Sequence, residues 1–456
     1  MRSDRRLTFL CIVPWLGLAP LAGCSNDASP SDGSVDVFSA AEFTKVKTFG
    51  PLGAPPADST NKYADSAAAA AFGQRLFYEK AYAGALTVGN DGTNGALGAV
   101  GDKGKVACAS CHDGSNWYID TRSKPGNVSL GVKYTARNAP SLVNASYYKW
   151  NSWSGKEDSQ WYQGANGCES GANFGGNRLS YAHVVYAKYK ADYNALFPTP
   201  LDAALDPAAA DAARFPPAGK PKAAMTDPDG PWETMAAADQ TIVNTIMANC
   251  GKALAAYDRK IVSRNAPIDK YIGGDYTALS AGAKRGLKLF IGKAACDGCH
   301  SGSTFTDQDF HVTGVAQMVG PNVPMTDNGR FDDVPKTLGN TWNGAGAFSD
   351  DQAAGAAKLA GLAQVDAQKG QFRTKSLRHI ATTAPYFHNG SMATLEDVVA
   401  FYNMGGAASG FAGTKDPKMV PLNLTAAEQA DLVAFLKEGL QGEAVPAQYG
   451  MDTSAP

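Results

Sequence analysis

Through the body of the chain, apolar side chains recur at helical rather than alternating spacing. Gln240 to Val262 carries Ile242, Ile246 and Leu254 on one face, and Ala426 to Leu440 aligns Leu432, Phe435 and Leu436, the spacing of amphipathic helices. Thr425 with Glu428 three residues on is a capping-box start for the second. Tyr181, Val184 and Val185 place His183 inside a third helical pattern, so His183 reads as a structural residue. No comparable run of alternating strand positions appears. These patterns predict a mainly α protein with long Gly/Pro-rich connections.

A long apolar run lies at the N-terminus, where Arg2, Arg5 and Arg6 precede Leu7 to Leu21. Prolines at 14 and 20 and basic flanks make this a signal peptide. It ends in Leu21-Ala22-Gly23-Cys24, which resembles a bacterial lipobox in which the Cys becomes lipidated. The residues directly after Cys24, 25–34, are polar and Ser/Pro-rich, and 25–55 is then expected as a flexible tether. Ser25, by resemblance to sorting signals, points to an outer-membrane lipoprotein facing the periplasm. Lipid would be the only membrane contact.

Composition adds little about partners, because 41 basic and 43 acidic residues balance in 456 and give no electrostatic case for nucleic acid. Cysteine placement is more informative. Of eight, Cys11 and Cys24 belong to the leader and four form Cys108-Ala-Ser-Cys111-His112 and Cys296-Asp-Gly-Cys299-His300. CxxCH supplies two thiols for the haem vinyl groups and an adjacent imidazole for the iron. Zinc ribbons also pair CxxC motifs, but far closer in sequence than these, so two covalent haem c groups are expected. Cys168 and Cys250 remain as a disulfide candidate, with two buried free thiols as the alternative.

The surroundings of the motifs repeat. Gly73-Gln-Arg-Leu76-Phe77 precedes the first and Gly286-Leu-Lys-Leu289-Phe290 the second, and each motif is followed by Gly-Ser, an aromatic and an Asp. Two copies of one cytochrome c unit are expected, at 56–235 and 236–445, with the Gly-rich stretch between Tyr78 and Lys105 as a surface loop.

Beyond the haem motifs, Arg137-Asn-Ala-Pro-Ser-Leu-Val-Asn144, Trp153-Ser-Gly-Lys156, Phe372 to Ile380 and Thr383-Ala-Pro-Tyr-Phe-His-Asn-Gly390 give a chain that resembles the bacterial dihaem cytochrome c peroxidase and MauG family over about residues 55 to 440. The resemblance implies that the first haem reacts with hydrogen peroxide and the second exchanges electrons. Trp153 matches the Trp between the haems and Gln163 the Gln above the first. Asn138, Thr383 and Pro385 match calcium-binding positions, which implies one Ca2+ held by hard oxygen donors.

Two departures stand out. Where family peroxidases have a catalytic Glu, this chain has Asn173, an amide that cannot act as a general acid or base; Glu169 is nearby and could substitute in a rearranged loop. Where ordinary members place a Met ligand to the second haem, this chain has Tyr402, as MauG-like enzymes do, with Met404 as the other candidate ligand. No His lies between His112 and His183, so the first iron is expected to be open. His311, His379 and His388 lie in family motifs without an assigned role. The expected function is a peroxide-dependent dihaem oxidoreductase, with a small redox protein or a protein substrate as electron donor. The alternative is a non-catalytic dihaem carrier or haem sensor that has lost the proton shuttle.

Overall fold

The computed structural model describes residues 37–88, 97–122, 128–318 and 326–454. The leader and its Cys24 therefore lie outside the described residues. Eleven α-helices are described: α1 Ala40–Val46, α2 Ala67–Tyr78, α3 Gln160–Gly167, α4 Arg178–Leu196, α5 Ala237–Asp258, α6 Pro267–Ile272, α7 Ala281–Ile291, α8 Arg330–Leu338, α9 Gln352–Leu359, α10 Leu395–Asn403 and α11 Ala426–Ala434. Among the described residues the only strands are β1 (Phe310–His311) and β2 (Phe372–Arg373), an antiparallel pair with Phe310 opposite Arg373. The mainly α expectation holds. No helix is long and apolar enough to cross a membrane among the described residues.

Two hydrophobic cores divide the chain. One gathers Leu76, Tyr118, Trp161, Leu179, Val243 and Tyr257; the other gathers Val46, Leu287, Phe290, Phe305, Leu432 and Phe435. Each is organised by one helix crossing: α2 lies on α5 in the first and α7 on α11 in the second. The repeated Gly marks both crossings. A Cβ on Gly73 would sit 2.0 Å from the Ala253 carbonyl oxygen, and one on Gly286 would sit 2.0 Å from that of Asp431. The two helix backbones meet there, so only Gly fits.

Three boundaries differ from expectation. The stretch taken as a tether is packed from residue 37 onward: Ser39 and Glu42 form a capping box for α1, and Phe38, Val46 and Phe49 enter the second core, Phe49 stacking on Phe305 at 4.9 Å. Apolar side chains in an otherwise polar arm have somewhere to bury, and burial outweighs chain freedom. At the other end Val445 and Tyr449 pack against the first core, and Trp342 is buried within it. In the Gly-rich insertion, Tyr82, Ala83 and Leu86 also join that core, so its described flank is not a surface loop.

Candidate functional site

Both CxxCH motifs fold as the same single turn. The Cys108 carbonyl accepts from the N–H groups of Cys111 and His112 at 3.1 and 3.0 Å, and the Cys296 carbonyl from those of Cys299 and His300 at 3.2 and 2.9 Å. The chain then passes through a left-handed aromatic, Tyr118 at φ 54° and Phe305 at φ 51°. Their carbonyls accept from Nδ1 of His112 at 3.3 Å and of His300 at 3.0 Å. That bond fixes the tautomer and leaves each Nε2 lone pair for a metal. Burial lowers both imidazole pKa values, keeping the rings neutral as ligation requires.

A cavity of about 440 Å³ opens at the first turn, and Cys108, Cys111, His112, Trp153, Gln163 and Asn173 all line it. His112 is the only His among those lining residues. His183 is elsewhere, its ring nitrogens facing the carbonyls of Leu205 at 2.9 Å and Phe215 at 3.1 Å. Glu169 does not line the cavity. Its oxygens take Arg178 Nε at 2.8 Å and Nη2 at 2.6 Å, and that guanidinium stands 4.9 and 4.6 Å from the rings of Trp232 and Trp342. The ion pair consumes the carboxylate that could have stood in for a missing Glu.

The carboxylates that do line the cavity are Glu157, Asp258 and Asp333. Glu157 Oε1 accepts from Asn166 at 3.2 Å and lies 3.1 Å from Lys156 Nζ, while its Oε2 is buried without a partner. Burial alone pushes Asp258 up to about 7. Asp333 is held low, to about 2, because Arg137, Lys336 and Ser154 outweigh its desolvation. Sequence reading missed all three. Glu157 directly follows the Trp-Ser-Gly-Lys motif and could have been flagged; Asp258, at the end of α5, carries no local signal.

At the second turn, Tyr402 on α10 is partly buried, and its pKa is pushed well up by desolvation, with Cys296 and Cys299 adding to it. The phenol is thus beside the second pair of haem-attaching sulfurs, whereas Met404 is 67% exposed. Of the two candidate side chains, only Tyr402 stands against those sulfurs. His311 bridges Asp307 at 2.9 Å and Asp416 at 2.7 Å; Asp307 first, then Cys299, raise it to about 11. Cys299, Asp307 and His311 are close enough to hold an ion, but Cys299 belongs to the haem turn.

Between the turns, Trp153 Nε1 donates to the Asn138 carbonyl at 2.8 Å. Asn138 Nδ2 donates to the Pro385 carbonyl at 2.9 Å, and its own Oδ1 is buried without a partner. The Thr383 hydroxyl turns back to the Ile380 carbonyl at 3.2 Å. Arg137 ties the halves through Asp327 and Asp333 at 2.8 and 2.9 Å. His388 stacks on Phe372 at 3.7 Å and His379 on Trp117 at 5.1 Å; burial lowers them to about 4 and 3. Cys168 and Cys250 are buried free thiols here rather than the expected disulfide.

A paired CxxCH fold with two thiols and a neutral imidazole at each attachment turn, and a cavity at the first, fits covalent haem and defines a dihaem c-type cytochrome. Comparison with known proteins places it more narrowly. The family model for di-haem cytochrome c peroxidase matches residues 67–277. The cytochrome-c peroxidase IdrP1 of Denitromonas iodatirespirans is 31% identical over 408 residues, 87% of this chain and 88% of the relative. The methylamine utilization protein MauG of Methylorubrum extorquens is 34% identical over 189 residues, covering 41% and 42%. A solved MauG-like protein associated with microbial copper homeostasis shares the fold with a TM-score of 0.58 at 24% identity, covering 88% of this chain and 97% of that one. The chain belongs to the dihaem cytochrome c peroxidase family.

Proposed function

We propose that the protein is a peroxide-dependent oxidoreductase in which the first site takes hydrogen peroxide and the second exchanges electrons with a small redox protein or a protein substrate. The observation that carries this reading is the contrast in what faces each turn: a cavity of about 440 Å³ with a single imidazole at the first, and the phenol of Tyr402 beside the sulfurs at the second. Bound haem would supply a redox-active iron at each turn. Within the cavity the amides of Gln163 and Asn173 can donate hydrogen bonds to an oxygen ligand but cannot transfer a proton. Tyr402, once deprotonated, is an anionic oxygen donor suited to oxidised iron. Trp153, its indole N–H fixed on Asn138, is the aromatic link between sites.

The named peroxidase relatives support hydrogen peroxide as oxidant. Asn138, Pro385 and Thr383 are proposed to hold Ca2+: a buried, unsatisfied amide oxygen beside backbone carbonyls is the donor set a hard cation takes. We further propose export and lipid anchoring at Cys24 on the periplasmic side of the outer membrane, so Cys24→Ser should release the protein from membranes.

Asn173 lining the cavity favours the second reading, a carrier or sensor. Stopped-flow mixing of the ferric holoprotein with one equivalent of peroxide separates them. A fast, stoichiometric spectral change is expected of the oxidoreductase. Slow bleaching alone would leave the carrier.

A further inference from the structure

The junction between the haem turns contains cations of two kinds. Arg137 is fully matched, by Asp327, Asp333 and Ser154. Arg373 and Lys375 are not. Arg373 is 3% exposed, lies 3.6 Å over the Tyr148 ring, and spends Nε and Nη2 on the Ser152 carbonyl at 3.3 and 3.2 Å. Its Nη1 is buried with no acceptor. Lys375 Nζ stands 4.9 Å from the Tyr148 ring and 5.0 Å from the Trp153 ring. Among the described residues neither has a carboxylate partner.

A buried cation beside a partly buried one, without an anion, is costly. Burial, with the neighbouring Arg373 charge added, accordingly drives the Lys375 amine well below its ordinary range. Rings can soften such a charge but do not neutralise it. The missing anion must reach a place between the two attachment turns. Lys375 acts electrostatically on the His112 imidazole, and its backbone faces the His300 ring. Haem c brings its own carboxylates, two propionates per group, and Arg with Lys is the pair that recognises them.

We propose that Arg373 and Lys375 form the binding site for a haem propionate at the junction of the two units, and that Lys375 thereby tunes the reduction potential of that haem and the ease of oxidising the adjacent Trp153. A cation beside a haem favours the ferrous form, which carries one positive charge fewer, and opposes a positive charge on the indole; the paired propionate offsets part of both effects. Neither redox partner forms or breaks a bond. The inference rests on haem attachment and not on the peroxide reading, because it is tested without peroxide.

The experiment is a spectroelectrochemical titration of the holoprotein and of Lys375→Met, each checked by mass spectrometry for two haems. One haem should become easier to oxidise by about tenfold in its ferric-to-ferrous ratio, a fall of about 59 mV for one electron, and Lys375→Arg should restore it. If Lys375→Met fails to load haem, Lys375→Gln serves in its place, and resonance Raman of the propionate bending modes in wild type against Lys375→Arg gives an independent reading. Unchanged potentials in the neutral variants, or propionate modes indifferent to Lys→Arg, would overturn the assignment. A potential shift without any peroxide reaction would keep this site and discard the proposed activity.

Discussion

In the first unit the haem turn looks into a cavity furnished with amides and three carboxylates; in the second the same turn is met by the phenol of Tyr402. Everything nearer the backbone is shared: the turn, the left-handed aromatic, the imidazole bonded through Nδ1, and the Gly at the helix crossing. The chassis is therefore fixed by short-range geometry, while the chemistry is set by residues brought in from elsewhere. A duplicated unit can diverge in function without disturbing its fold.

The sharpest way to separate the units is to disable one. Cys296→Ser with Cys299→Ser should leave one covalent haem per chain by mass spectrometry, because each CxxCH acts for itself. Next, Asn173→Glu adds a proton carrier to the cavity that lacks the family's own, and stopped-flow rates with peroxide should rise by about 100- to 10,000-fold. Glu169→Gln should leave that rate unchanged, since Glu169 is bound to Arg178, and should cost about 3–5 kcal/mol of stability in urea denaturation.

Asp258 gives the pH test. Its folded pKa of about 7 lies above the unfolded value of about 3.9. Between those values the folded state keeps a proton that the unfolded state has lost, so stability falls as pH rises from about 4 to 7. Asp258→Asn should match wild type near pH 4 and exceed it near pH 8, by up to about 4 kcal/mol in denaturation midpoints converted to free energy. Smaller still, Gly73→Ala and Gly286→Ala should each cost about 1–3 kcal/mol; similar losses would confirm that the two crossings are equivalent, and unequal ones would break the comparison.

What could be read from sequence was whatever a few neighbouring residues decide. The CxxCH turns, the Thr425–Glu428 cap and the repeated Gly are local devices, and all appear where expected. Helix ends were less legible: the second periodic segment runs to Leu440, but α11 ends at Ala434 and widens over Phe435–Gly439. Residue roles set by distant partners were not legible. Glu169 sits near the right place in the chain, yet Arg178 and two tryptophans claim it. Asp258 and Lys375 gain their meaning only from what surrounds them, and 37–49 looked like linker because its apolar residues find their partners more than two hundred positions away.

Residues 448–451 have a consequence for the order in which the first unit can be completed. Gln74 donates to the carbonyls of Gln448 and Met451 at 2.7 and 3.0 Å, and the Tyr257 hydroxyl to that of Tyr449. The first haem unit is made early in translation, but these donors find their carbonyls only in residues 448–451. The first haem unit is thus completed only by residues that lie beyond the second one in the chain.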